Sequence, residues 1–184
     1  MSNETLVMHC SPTLAGLKTA NMFTTECTDR ECLEDQLRAL NRMLGPKGLR
    51  IIPLRYTESK ALLYLYRPKR LRRDLQEGEA GSILEELGYP LESESRCLAK
   101  LWEKLRSCED FPHEIGFFLG YPVSDVLGFI REGASKAKCT GFWQVYGDEA
   151  AARKTFDRYK KCTKVYCSKV QEGARLEKLA VADR

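Results

Sequence analysis

Apolar positions along this chain recur with two different periods. Leu33, Leu37, Leu40 and Leu44 stand three or four places apart, with Thr28 or Asp29 before them and Gly45-Pro46 after. That is the pattern of a capped amphipathic helix. The period then changes, and LRIIPLRY and ALLYLYR, separated by the polar turn Thr57 to Lys60, predict a hairpin with Pro53 at an edge or a bulge. Helical spacing resumes behind Pro68 in PKRLRRDLQ, at Ile83, Leu84 and Leu87, and at Leu98, Leu101, Trp102 and Leu105. Before all of these, the reading is a short extended lead and a helix with Pro12 in its first turn and Leu14, Leu17 and Met22 on one face.

The stretch from Phe111 to Ile130, FPHEIGFFLGYPVSDVLGFI, predicts two short helices joined by a Gly120-Tyr121-Pro122 corner. Ile115, Phe118 and Leu119 share a face of the first; Val123, Val126, Leu127 and Ile130 share a face of the second, which has Asp125 in its first turn. Helices joined so tightly turn their apolar faces onto a common core. A DNA-reading role fits poorly, because the second helix is mostly apolar and Arg131 is its only cation. After the corner, CTGFWQVYG reads as one strand, and Asp148 caps a long helix with Ala152, Phe156, Tyr159, Thr163 and Tyr166 on one side. Two strands in a hairpin and one distant strand cannot alternate into a doubly wound sheet. The expected fold is α+β, a small mainly antiparallel sheet of about three strands covered by several helices. It forms a single domain over residues 1–167, with 168–184 a flexible or surface tail.

Composition narrows the class. At 184 residues, 43% hydrophobic and 30% charged, the chain can bury a real core, and its formal charge of +4 makes no global case for nucleic acid. No run approaches a membrane span, and the start, MSNETLVMHC, lacks the regions of a secretory signal, so a cytoplasmic location is expected. The chain is cysteine-rich, with eight residues at 10, 27, 32, 97, 108, 139, 162 and 167. Without an export signal they read as thiols, and no two have the two-residue spacing of a structural zinc site.

Three groups carry candidate chemistry. Cys10, just ahead of an expected helix start, would feel the positive end of the helix dipole and could act as a thiolate, although a packed small hydrophobe is the plainer role. His113 and Glu114 are candidates for a base and its orienter, and Cys10, His113 and Cys139 for a metal site, if folding brings them together. Adjacent residues on a helix point about 100° apart, and a first-turn glutamate also complements the dipole, so capping or a surface position competes with both roles. Cys27-x4-Cys32 and Cys162-x4-Cys167 could meet a metal or an iron-sulfur cluster only if one member of each pair lies past a helix end. Arg67, Lys69, Arg70, Arg72 and Arg73 crowd a helix start, where cations oppose the dipole; that cost invites an anionic partner such as a phosphate-bearing cofactor. The second basic group, Arg153, Lys154, Arg158, Lys160, Lys161 and Lys164, reads as a solvated helix face.

Taken together, HCSPTLAGLKTANMF, ALLYLYRP, HEIGFFLGYPVSDVLGFI and CTGFWQVYGDEAAARKTFDRYKKCTKVYC resemble the bacterial family catalogued as domain of unknown function 3793, over nearly the whole chain. The resemblance implies no activity, ligand or residue role. The functional expectation is therefore a protein that binds a small anionic or metal-containing cofactor, possible partners including a redox protein. Its rival is a non-enzymatic module that binds nucleic acid or an acidic protein through the basic clusters.

Overall fold

In a computed structural model of the chain, residues 1–107 and 111–183 are described. The fold is α+β, and the chain forms two compact units. The first comprises residues 1–70 and 161–184, the second 71–160.

The first unit opens with helix α1 (Asn3–Leu14), whose N-terminus is capped by Ser2 accepting from the Thr5 amide. Pro12 therefore lies inside a helix that begins nine residues before it, not in the first turn. Gly16, at a φ of 71°, ends the helix in the left-handed region where a side chain would be strained. Strand β1 (Ala20–Glu26) follows, then α2 (Arg30–Leu44), capped by Asp29, and the hairpin of β2 (Arg50–Tyr56) and β3 (Lys60–Tyr66). The sheet order is β1-β3-β2, antiparallel throughout. Both sides of β3 are covered, so ALLYLY is buried at every position and does not alternate. Pro53 lies on the edge strand β2 at a bulge before Arg55, as a residue without an amide hydrogen requires. The side chain of Asn41 on α2 brackets Ile51, donating to its carbonyl at 2.8 Å and accepting from its amide at 2.9 Å, which occupies part of that exposed edge.

Helix α3 (Pro68–Gln76) runs from the first unit into the second, where α4 (Gly78–Glu86), α5 (Glu94–Ser107), α6 (Ile115–Phe118) and α7 (Val123–Glu132) follow. Leu98, Leu101 and Leu105 of α5 are buried as their spacing predicts, but Trp102 is 40% exposed, with the Arg106 guanidinium 4.5 Å above its ring. Ile130 is likewise exposed, one step beyond the buried pair Val126 and Leu127. Between α6 and α7 the Gly120 turn is closed by the Tyr121 amide donating to the Gly116 carbonyl. The stretch read as one strand is instead a two-stranded corner, β4 (Cys139–Thr140) paired with β5 (Gln144–Val145). The third strand of the main sheet is β1, which the sequence reading had placed in a helix. Asn21, Phe23 and their β-branched neighbours Thr24 and Thr25 suit a pleat, and a Thr13 hydroxyl donates to the buried Asn21 side chain at 2.7 Å.

Helix α8 (Glu149–Gln171), capped by Asp148, leads back to the first unit, and α9 (Leu176–Leu179) closes it. The segment after Ser168 is not a fraying tail. Leu176 and Ala180 enter the apolar core of the first unit beside Leu6, Leu14 and Leu44, and the Val181 amide donates to the Leu14 carbonyl at 2.9 Å.

Candidate functional site

Cys10 is the eighth residue of α1, fully buried and in the second half of its own helix, not ahead of a helix start. Burial pushes its thiol up from the ordinary cysteine value, only partly offset by the nearby Lys18 cation. Its surroundings are the apolar core of the first unit. Buried in that core, Cys10 has the surroundings of a packed small hydrophobe.

The arginine group is dispersed in the same way. Arg67 is 1% exposed, and its guanidinium donates to the carbonyls of Thr13 at 2.8 Å, Leu14 at 2.9 Å and Val181 at 2.8 Å, and to the Asp183 carboxylate. Gly48, at a φ of 76°, leaves room for that carboxylate, since a Cβ there would meet Asp183 Oδ2 at 2.6 Å. Arg70 donates to the Gly16 carbonyl at 2.7 Å, and Arg73 pairs with Asp74. Arg67 and Arg70 thus close the chain on itself, and Lys69, Arg72 and Arg73 remain on an exposed helix surface. No phosphate cradle is formed by the group. Basic residues 153, 154, 158, 160, 161 and 164 of α8 are exposed, as expected for a solvated face.

The second unit holds a cavity of about 510 Å³ at the corner of α6 and α7. Apolar walls come from Phe111, Ile115, Tyr121, Val126, Phe129 and Trp143, and the polar groups are His113, Asp125 and Gln144. His113 is exposed and stands edge-on to Phe129, ring centroids 5.1 Å apart. Glu114 points elsewhere. Its buried carboxylate accepts from the Tyr89 hydroxyl at 3.0 Å and pairs with Lys104. Burial would raise its pKa, but the bonds from Lys104, its own amide and Tyr89 outweigh that and leave the carboxyl below its ordinary value. With those partners, Glu114 makes no described hydrogen bond to His113.

Asp125 organises the cavity. It is 4% exposed in the first turn of α7 and accepts three hydrogen bonds, from Trp143 Nε1 at 2.7 Å, the Tyr146 amide at 2.8 Å and the Gly147 amide at 2.7 Å. One carboxylate thereby ties α7 to the residues on both sides of β5 and sets the plane of the Trp143 indole. Tyr121 packs on that indole at a 5.1 Å centroid distance, and its hydroxyl donates to the Phe142 carbonyl at 3.0 Å. Phe156 of α8 meets the Trp143 ring edge-on at 4.5 Å and fixes its position from another side. Sequence reasoning placed Asp125 only as a dipole partner and missed Trp143 as a site residue. The available signal was an aromatic cluster, Phe142, Trp143 and Tyr146, too dense for a short strand with one buried face.

Among the described residues, no group of three His, Cys, Asp or Glu side chains is placed to hold a metal ion. Cys10 belongs to the first unit and His113 and Cys139 to the second, and Cys139 is not part of the cavity wall. Cys27 is buried and Cys32 exposed, Cys162 and Cys167 are half-buried, and Cys108 lies outside the described residues. Among the described residues, no helix is long and apolar enough to cross a membrane. Neither a curated protein nor a solved structure matches the chain. A family model does, over residues 6–180, which is nearly the whole of both units. The chain belongs to the family described as protein of unknown function DUF3793.

Proposed function

We propose that this chain is a binding protein for a small, largely apolar organic molecule, held in the aromatic cavity of the second unit. The observation that supports this is the cavity itself, about 510 Å³, with aromatic and aliphatic walls and a few convergent polar groups. Ligand sites of small molecules have that size and composition. The phosphate-bearing version of the ligand rested on Arg67, Lys69, Arg70, Arg72 and Arg73 together, and the chain itself occupies the guanidinium of Arg67 and one donor of Arg70. The metal-containing version finds no ligand group among the described residues. For a nucleic acid or acidic protein partner, the exposed cations of α3 and α8 are ordinary helix surface.

The test uses the two tryptophans of the chain. In Trp102→Phe, Trp143 becomes the only indole, and its emission reports the cavity. A library of soluble ring compounds is screened for changes in that emission and in melting temperature. A ligand at about a hundred times its Kd should add about 2.7 kcal/mol, which corresponds to a rise of roughly 5–10 °C for a chain of this size. Ile115→Phe, which narrows the cavity without adding an indole, should weaken both signals. Hits unaffected by Ile115→Phe, or no hits at all, would overturn the reading.

A further inference from the structure

The cavity's charge distribution is one-sided. Among the described residues that line it there is no Lys or Arg, and one carboxylate, that of Asp125. All three described partners of that carboxylate are neutral N–H groups, the Trp143 indole and the Tyr146 and Gly147 amides. Neutral donors satisfy lone pairs, but they do not cancel a unit charge. The positive end of α7 offsets only a fraction of it, since a helix terminus amounts to about half an elementary charge. Against low-dielectric walls the remaining negative potential is focused into the cavity.

The aromatic walls have the same preference. Trp143, Tyr121 and Phe129 carry electron-rich π systems, and indole is the strongest of the three for a cation. Donation of the Trp143 N–H to a carboxylate at 2.7 Å pushes further electron density into that ring. Anionic ligands would therefore be repelled, and neutral ones would gain nothing from either feature. A metal cation would need ligand atoms that the wall does not supply. A primary ammonium would bring N–H groups into a wall where, besides His113, the described polar side chains are already engaged: the Tyr121 hydroxyl donates to the Phe142 carbonyl, the Gln144 Oε1 accepts from Tyr146, and the carboxylate accepts three bonds. An alkylated ammonium has little or no N–H to satisfy and presents methyl groups to the rings.

Resting on the reading of the cavity as a small-molecule site, we infer that its ligand class is the alkylated organic cation, a quaternary or heavily methylated ammonium with an apolar body. Asp125 supplies the counter-charge and Trp143 the principal ring.

The test compares three probes of one shape on the otherwise native chain carrying Trp102→Phe, by calorimetry and Trp143 emission. (3-Hydroxyphenyl)trimethylammonium and 3-tert-butylphenol differ in a charged nitrogen against a neutral carbon, and 3-hydroxybenzenesulfonate reverses the charge. The ammonium should bind at least tenfold more tightly than the tert-butyl compound, with the sulfonate weakest. Equal affinities, or an order led by the phenol or the sulfonate, would overturn the cation assignment and leave the apolar site standing. Binding of none of the three, together with a barren library screen, would overturn both. Asp125→Asn gives a second arm: the ammonium should lose affinity by a larger factor than 3-tert-butylphenol, whatever both lose through the Trp143 contact, and an equal loss would overturn the counter-charge role. Should that variant fail to fold, the probe series on the native side chains decides alone.

Discussion

Replacing Asp183 by alanine removes the only described anion facing the Arg67 guanidinium, which is 1% exposed. Breaking a fully buried ion pair from one side costs about 3–5 kcal/mol. Two features soften this here. Asp183 Oδ2 is buried with no hydrogen-bond partner among the described residues, so the variant also removes an unsatisfied acceptor, and three carbonyls still accept from the guanidinium. The expected loss is about 2–3 kcal/mol, a fall in melting temperature of roughly 4–12 °C for a chain of this size. Arg67→Met is different, because it removes the buried charge itself. The Thr13 carbonyl then still accepts from the Gly16 amide and the Leu14 carbonyl from the Val181 amide, so Val181 loses its one described donor and Asp183 can turn to water. That single variant should cost about 1–2 kcal/mol. In the double variant no unpaired charge is left, and the two costs should sum to at least about 1 kcal/mol more than is observed. Urea unfolding followed by circular dichroism measures all four proteins. Additive costs, or an Asp183→Ala variant within about 0.5 kcal/mol of the parent, would refute the assignment of Arg67 as an ion-paired pin.

Two further predictions concern the buried groups of the first unit. Burial pulls the Lys18 ammonium down to about 7, so between pH 7 and its ordinary value near 10.4 the unfolded chain binds the extra proton and stability rises with pH. Below pH 7 both states are protonated and the penalty is full. Cys10, raised by burial, works in the opposite direction above its ordinary value near 8.5. The clean window is therefore roughly pH 7 to 8.5, where urea midpoints should climb for the native chain and flatten in Lys18→Met; an unchanged slope would remove Lys18 as the cause. Iodoacetamide at pH 7.5 with peptide mapping should mark exposed Cys32 first and buried Cys10 only in urea. Early labelling of Cys10 would contradict the closed core.

Local rules read from the chain worked wherever local physics decided the outcome. The α2 stripe from Leu33 to Leu44, the Asp29 and Asp148 caps, the Pro53 bulge and the Gly120 corner follow from spacing, capping and missing amide hydrogens, and the structure has each of them. Errors arose where tertiary contacts outweighed local signals. Met22 reads as a continuation of the Leu14 and Leu17 helix face, yet residues 20–26 pair along all of β3 in register, which local periodicity cannot show. Ser168 onward looks polar, but Leu176 and Ala180 are anchored by contacts with residues more than 100 positions earlier. The arginine-rich helix start was a real anomaly, correctly noticed and wrongly explained. For Arg67 the anionic partner is the chain's own Asp183, 116 residues away, while Arg73 pairs with Asp74. His113 does line the cavity, but the residue that organises it is Asp125, whose three partners come from 18 to 22 positions downstream.

That separation has a temporal side. The second unit is one unbroken stretch of chain, whereas the first needs residues 1–70 and then 161–183. During vectorial synthesis, residues 71–160 are all made before the segment that completes the first unit exists. The sheet β1-β3-β2 and α2 lie entirely within the early part, so they can assemble with the Arg67 guanidinium still in water. Only when Val181 and Asp183 arrive does that charge acquire its last acceptors and leave solvent. The intervening loop costs little more entropy than a shorter one, because closure grows only with the logarithm of length. Val181 and Asp183 thus behave as a fastener applied late, closing a unit whose larger part was made first.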